Sequence, residues 1–253
     1  MNQSRGLFAD IILCLAFYTR LPLGGLAEEE RSFADAQWAA PLAGVVVAIG
    51  GWIVFWLGFT AGAPALVTAA LALTAILCIT GCLHEDGAAD VADGFGGGTT
   101  RERKLEIMRD SRLGTFGVAT IVVTFLIRWS AIAALATPDA ALAGLVAAHA
   151  ASRALIPAFM ALVPPARLTG LSARAGNADW PVAIGALAIG AVCLFGAFGF
   201  APALVATIAI ALWFFLLKRL SERQIGGQTG DVLGALQQGG EIITLVAASI
   251  FFT

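Results

Sequence analysis

"APALVTAALALTAILCITGCLHEDGAADVADGFGGG" runs from Ala63 to Gly98. Through Leu83 it carries no charged residue; beyond Leu83 it sets Asp86, Asp90 and Asp93 among glycines. About twenty apolar residues suffice for a helix to cross the hydrocarbon core of a bilayer. The carboxylates that follow belong where water begins. The stretch therefore reads as a membrane span that ends in an acidic, water-facing helix, and that reading sets the class of the chain.

The composition agrees. The 253 residues are 59% hydrophobic and only 13% charged, against about 25% charged in soluble domains. A net charge of -2 gives no bulk attraction to nucleic acid. Outward from Ala63–Leu83, further apolar runs cover Trp38–Phe59, Phe116–Ala136, Ala140–Val163, Trp180–Gly199, Pro202–Leu217 and Ile242–Thr253. The last is too short alone and needs a helix start upstream, near Asp231. Leu7–Tyr18 is short and holds Asp10, which suits an interfacial or re-entrant helix. The expected fold is all-α: a polytopic transmembrane bundle of about seven spans with Asp-rich cytoplasmic helix ends. It forms one integral membrane domain over 1–253, with 1–35 as a cytoplasmic or interfacial segment and 84–115 as a catalytic cytoplasmic loop.

Basic residues orient it. Arg5, Arg20 and Arg31 precede the first run, and Arg101, Arg103, Lys104, Arg109 and Arg112 separate the second from the third. Arg167 and Arg174 follow the fourth, and Lys218, Arg219 and Arg223 follow the sixth. Thr60–Gly62, Thr137–Asp139 and Phe200–Ala201 contain no Lys or Arg. That alternation is the positive-inside pattern, which places the N-terminus and the long loops in the cytoplasm. Arg128 and Arg153 interrupt runs three and four, and His149 sits one helical turn before Arg153. Charges at bilayer depth face a polar interior, so they either pair with a carboxylate or form an anion site. The four cysteines, Cys14, Cys78, Cys82 and Cys193, form no CxxC and read as buried thiols. Cys78, Cys82 and His84 lie close together, but no second ligand pair follows at zinc-like spacing.

The charged island carries the chemistry. From Glu85 to Arg112 lie 12 of the 32 charged residues in 28 positions. On a helix, Asp86, Asp90 and Asp93 fall within an arc of about 60°. Like charges on one face repel by a few tenths of a kcal/mol per pair, and a divalent ion removes that repulsion. Carboxylates without thiolates suit a hard ion such as magnesium. Gly87 and Gly94 leave room beside the acids, and Gly96–Gly98 stop the helix. In "RERKLEIMRDSRLGTFG" (Arg101–Gly117), Glu102, Glu106 and Asp110 recur every fourth residue. Either Glu106 and Asp110 complete the expected metal set while Arg103, Arg109 and Arg112 hold phosphate oxygens, or the stretch forms i,i+3 and i,i+4 ion pairs on a cytoplasmic helix. In "IGGQTGDVLGALQQGGE" (Ile225–Glu241), Thr229 and Asp231 mark a helix start on the same side, which either caps itself or binds an anion.

"LHEDGAADVADGFGGG" (Leu83–Gly98), "RKLEIMRDSRLGTFG" (Arg103–Gly117), "FYTRLPL" (Phe17–Leu23) and "GGQTGDVLGA" (Gly226–Ala235) together resemble the signature stretches of the adenosylcobinamide-GDP ribazoletransferase, or cobalamin synthase, family. The resemblance runs in order along nearly the whole chain. Glu85 stands where that family commonly has an apolar residue, so it is left out of the ligand set. The resemblance implies a magnesium-dependent membrane enzyme that joins α-ribazole, or its 5′-phosphate, to adenosylcobinamide-GDP and releases GMP. On that basis Asp86, Asp90, Asp93, Glu106 and Asp110 are expected at the metal, with Asp93 or Asp110 taking the hydroxyl proton. His84, Arg103, Arg109, Arg112, Arg153, Thr229 and Asp231 are expected at the substrates. The partners are these two substrates and the lipid bilayer, with a homo-oligomer left open and no nucleic acid.

Two other readings compete. The spacing is similar to the Asp motif of CDP-alcohol phosphotransferases, although one gap is longer and the usual alanine-arginine pair is missing. A prenyl transferase would show a second acidic motif on a later loop, where Asp231 stands alone. A transporter would use buried Arg128 and Arg153 as an ion path, but the acids gather at one side instead of crossing the membrane.

Overall fold

A computed structural model describes residues 3–26, 32–167 and 176–252. Arg31, Arg174 and Thr253, named above, lie outside the described residues. The protein is 83% helix with no strands among the described residues. One isolated parallel bridge joins Pro165 to Gln228.

Among the described residues eleven α-helices follow in order: α1 Gln3–Tyr18, α2 Phe33–Ala36, α3 Ala40–Thr60, α4 Ala65–Thr80, α5 Leu83–Gly97, α6 Arg101–Ile107, α7 Thr115–Ala134, α8 Pro138–Leu162, α9 Trp180–Phe198, α10 Phe200–Ile225 and α11 Gly230–Phe251. Among the described residues five segments are long and apolar enough to cross a membrane, or six if α4 and α5 together count as one broken span. Their outer faces are greasy: Val192 is 72% exposed and Phe200 75%. Water would not tolerate so much apolar surface, and lipid accepts it. The protein is an integral membrane protein.

Seven spans were expected. The apolar runs became helices at nearly the predicted bounds, with two informative departures. The run Ala63–Leu83 breaks: α4 stops at Thr80, Gly81 and Cys82 take left-handed conformations (φ 63° and 59°), and α5 leaves at 87° to α4. Gly81 adopts such a φ without strain; the Arg20 N–H donates to the Ile79 carbonyl at the break. The run Ile242–Thr253 becomes the second half of α11, which does start next to Asp231. Its first half carries Gln237, Gln238 and Glu241, so α11 is not apolar enough to be counted a span. It has no need to be, because α11 packs inside α5, α7, α8 and α10 instead of facing lipid.

The centre of the bundle is α8, held by α3, α9 and α11. Small residues let these helices close up: Gly44 on α3 lies directly against the His149 backbone. The short α1 and α2 pack beside α3, where Trp38 Nε1 donates to Asp10 at 2.9 Å. Cys14 is buried as expected, donating to the Ala36 carbonyl at 3.2 Å, but Cys78 and Cys82 are exposed. They lie on the outer face of the α4 end, so the expectation of buried thiols fails there.

Candidate functional site

Because α5 turns across the end of α4, its two faces meet different neighbours. One face carries His84 and Glu85 into the bundle; the other carries Asp86, exposed, and Asp90, half-buried. Gly87 faces α11 so closely that a Cβ there would sit 2.9 Å from the Asp231 carbonyl and 3.3 Å from the Gly234 Cα. The glycine therefore serves helix crossing, and not open room beside the acids. The crossing brings Asp231 into the field of Asp86 and Asp90.

Burial, then Asp86, Asp231 and Asp93, push the Asp90 carboxyl up to about 7. Burial also raises that of Asp231, against the pull of Arg167 and the Thr229 hydroxyl. Arg167 Nη2 lies 3.2 Å from Asp231 Oδ2, while its buried Nη1 has no partner among the described residues. Arg109 contributes positive charge to the same place. The assembled site is thus Asp86, Asp90 and Asp231 with Arg167 and Arg109. Arg167 was noted in the sequence only as a topology marker; its place just after Pro164 and Pro165, at the end of α8, was the available signal.

Asp93 is placed differently. Its two oxygens accept the N–H groups of Gly114 (2.7 Å) and Gly117 (2.8 Å), so it caps the start of α7. It is only 7% exposed, and neither glycine has space for a side chain beside it. The "RLGTFG" stretch is in this structure a receptor for Asp93, which leaves that residue poorly placed as a proton acceptor. Asp110 lies beyond the end of α6, so the predicted stripe with Glu102 and Glu106 does not form on one helix. Arg112 holds the Asp110 carboxyl down to about 2 through bonds of 2.9 and 2.5 Å, an unsuitable base near neutral pH. Glu106 pairs with Arg103 at 2.8 Å in solvent. Glu106, Asp110, Arg103 and Arg112 are not brought to Asp86 and Asp90 here. Their nearest opposite charges satisfy them locally.

Thr229 is fully buried; its hydroxyl accepts from Val232 N at 3.3 Å and donates to Asp231 Oδ2 at 3.1 Å. It is the α11 N-cap and positions Asp231, in place of a direct substrate contact. Arg153 does not line an opening either. It is fully buried, with Nη1 3.0 Å from His149 Nδ1. His149 lies 3.2 Å from Glu241, which pairs with Arg128 at 2.7 Å; Arg128 pairs in turn with Glu85 at 2.6 Å. Gln238 donates to Glu85 (3.1 Å) and Gln237 to Glu241 (2.7 Å). Of the two readings for the intramembrane arginines, the structure gives the pairing with carboxylates for Arg128, whereas Arg153 contacts His149, which in turn meets Glu241. A sealed cluster of this kind offers no ion path.

Beside Asp86 and Asp231 lies a cavity of ≈ 180 Å³ walled by Phe17, Tyr18, Phe33, Ile156 and Met160, with His84 in its wall. His84 stacks at 5.8 Å on Tyr18, whose hydroxyl donates to Gln37 at 2.6 Å. His84 is not joined by Cys78 and Cys82, and among the described residues no group of three or more His, Cys, Asp or Glu side chains is gathered as a ready metal site.

A membrane-embedded helical bundle with acids and arginines convening on an aromatic cavity is the make-up of a membrane transferase for phosphate-bearing substrates. The chain belongs to the cobalamin-5-phosphate synthase family, which it matches over residues 10–249. It is 49% identical over 248 residues to a protein of Bradyrhizobium diazoefficiens named adenosylcobinamide-GDP ribazoletransferase, covering 98% of this chain and 95% of that one. A protein of the same name from Mesorhizobium japonicum is 50% identical over 248 residues, covering 97% and 95%. One from Azorhizobium caulinodans is 40% identical over 261 residues, covering 99% and 98%. No solved structure matches the chain.

Proposed function

We propose that the protein joins α-ribazole, or its 5′-phosphate, to adenosylcobinamide-GDP with release of GMP. The relatives' shared name supports the reaction, and the family's signature stretches fall on the site described above. The observation that carries the reading is the meeting of Asp86, Asp90 and Asp231 with Arg167 beside the cavity. The basic loops support a cytoplasmic orientation for this end of the bundle, and the bacterial sources of the relatives support the inner membrane of a prokaryotic cell. Residues 1–253 act as one membrane domain, with the catalytic segment 84–115 joined by Arg167 and Asp231.

Magnesium fits the donor set: the oxygens are hard, and after burial it is the charge of the neighbouring carboxylates that lifts Asp90. Such an ion is commonly held by one or two carboxylates plus substrate phosphates, so a closed protein cage is not required. Asp86 and Asp231 would hold it, and when bound it would neutralise charge on the diphosphate and on departing GMP. Arg167, through its Nη1, which has no partner among the described residues, and Arg109 bind phosphate oxygens and orient the phosphorus for in-line attack. The ribazole hydroxyl forms the new oxygen–phosphorus bond at the cobinamide-bearing phosphorus. The bond to GMP breaks, and the hydroxyl proton passes to Asp90, whose carboxyl sits in the range a base needs.

The test is GMP release by purified protein given both substrates, with magnesium or with EDTA. Release only with magnesium and both substrates is expected. Asp90→Asn should lower turnover by about 10²–10⁴-fold, with the protein still monodisperse in detergent. Wild-type rates in Asp90→Asn would overturn the role of Asp90, and no GMP release by the wild type would overturn the reaction.

A further inference from the structure

The aromatic cavity has no role in the chemistry just described, and neither does the "FYTRLPL" stretch that builds one of its walls. Phe17 and Tyr18 end α1; their rings meet edge-on at 4.9 Å, and Phe17 packs at 4.4 Å on Phe33. Ile156 and Met160 close the side made by α8. Such a box is apolar and flat-walled, and its size is selective. About 150 Å³ of apolar space holds one benzene, and drug-sized ligands need about 300–1,000 Å³. At ≈ 180 Å³ the cavity admits a small fused ring and excludes a corrin.

Three polar side chains, His84, Asp86 and Asp231, break the apolar lining. His84 is 3% exposed, lines the cavity, and its Nε2 has no hydrogen-bond partner among the described residues. A buried polar atom without a partner is costly, and such atoms recur where a ligand supplies the missing bond. Asp86 and Asp231 share the lining, so whatever fills the cavity is attached to something that reaches the carboxylates.

We propose that this cavity seats the flat nitrogen heterocycle of the attacking riboside, with His84 Nε2 bonded to the ring nitrogen that carries no sugar. The inference rests on the ribazole-transfer reading: with the base between Tyr18, Phe33 and Ile156, the ribose projects toward Asp86, Asp90 and Asp231. A carbocycle of equal shape would leave His84 unsatisfied. The site selects against it, as sites built around a hydrogen bond do.

Two measurements test this on the full-length protein in detergent. Equilibrium dialysis with free benzimidazole reads the cavity without any turnover. Wild type should bind it saturably, Ile156→Phe, which fills the cavity, should not, and indene should bind about tenfold more weakly. Two-substrate kinetics read the site in use. Ile156→Phe and His84→Leu should raise the KM for the riboside about tenfold, with the KM for adenosylcobinamide-GDP moving less than about twofold. His84→Gln, which keeps a donor, should recover most of the loss. An unchanged riboside KM in active His84→Leu, or absent benzimidazole binding by wild type, overturns the proposal. If benzimidazole binds but no GMP is released with either substrate pair, the reaction is wrong and the cavity assignment stands. Should Ile156→Phe not fold, wild-type dialysis and the two His84 variants decide it.

Discussion

Two regions of this protein are rich in charge, and they use it in opposite ways. In the interior, Arg128, Glu85, Glu241, His149 and Arg153 form a sealed cluster with no exposure above 5%. On the surface, Arg103–Glu106 and Arg112–Asp110 pair in solvent, with Arg112 87% exposed. Bond lengths are alike, 2.5 to 2.8 Å for the arginine–carboxylate ion pairs in both, yet the energetic meaning differs. A surface pair trades one set of water contacts for another and is worth about 0–1 kcal/mol. An interior pair has no water to return to, and losing one member strands a charge at a cost of about 3–5 kcal/mol. The lesson is that distance alone does not rank these contacts; the surroundings do. Helix α5 connects the two regimes, with Glu85 committed to the interior and Asp86 facing out one residue later.

The contrast can be broken by experiment, most sharply inside. Glu241→Leu leaves Arg128 with Glu85 alone and His149 without its carboxylate. A loss of about 3–5 kcal/mol should lower Tm by roughly 6–20 °C, measured by thermal unfolding in detergent; an unchanged Tm would mean the cluster is not an energetic centre. Asp93→Ala comes next. It removes the carboxylate that caps the start of α7, worth about 0.5–2 kcal/mol, and should leave the magnesium dependence of surviving activity unchanged. A shifted magnesium dependence with intact stability would make Asp93 a ligand and not a cap.

Asp90 tests the boundary between the regimes. Its carboxyl is raised, from an ordinary value of 3.8 to about 7, so its ionised form is less favoured in the folded protein than in the unfolded chain. Its cost to stability is absent below about pH 4, grows as pH rises, and is fully present above about pH 7. Without divalent ions, wild type should therefore lose stability between pH 5 and pH 8 while Asp90→Asn does not. Half-exposure screens most of the repulsion, leaving about 1 kcal/mol, or ~2–4 °C in Tm at pH 8. Activity should run the other way, rising through pH ~7 as the base ionises. The smallest effect belongs to Arg103→Ala and Glu106→Ala, each within about 0.5 kcal/mol of wild type. A loss above about 2 kcal/mol in either would place that pair in the interior class.

Much of the fold was legible because lipid imposes a simple rule on sequence. α3, α7, α8 and α9 begin and end within two residues of their apolar runs. The 87° break was not legible, because Gly81 and Cys82 sit inside an unbroken apolar run and only the left-handed φ of both residues turns the chain. The acids on α5 could be read as a group, since helical spacing places them on one face. Which of them would stay available could not, because that depends on partners far along the chain. Asp93 is claimed by glycines 21 and 24 residues away, and Asp231 joins only through the crossing of α5 with α11. The charges on α6 were easily mistaken for site residues because their local pairing also occurs at helix spacing.

Gly87 and Gly234 act as a gauge block between the two acid-bearing backbones. On the proposed function, the width of the gap offered to a diphosphate is then dictated by two missing methyl groups and not by any charged side chain. A change as modest as Gly87→Ala would pry Asp86 and Asp90 away from Asp231 while altering no titratable group. Residues that never touch the reactants would in that way set the bore of the reaction chamber.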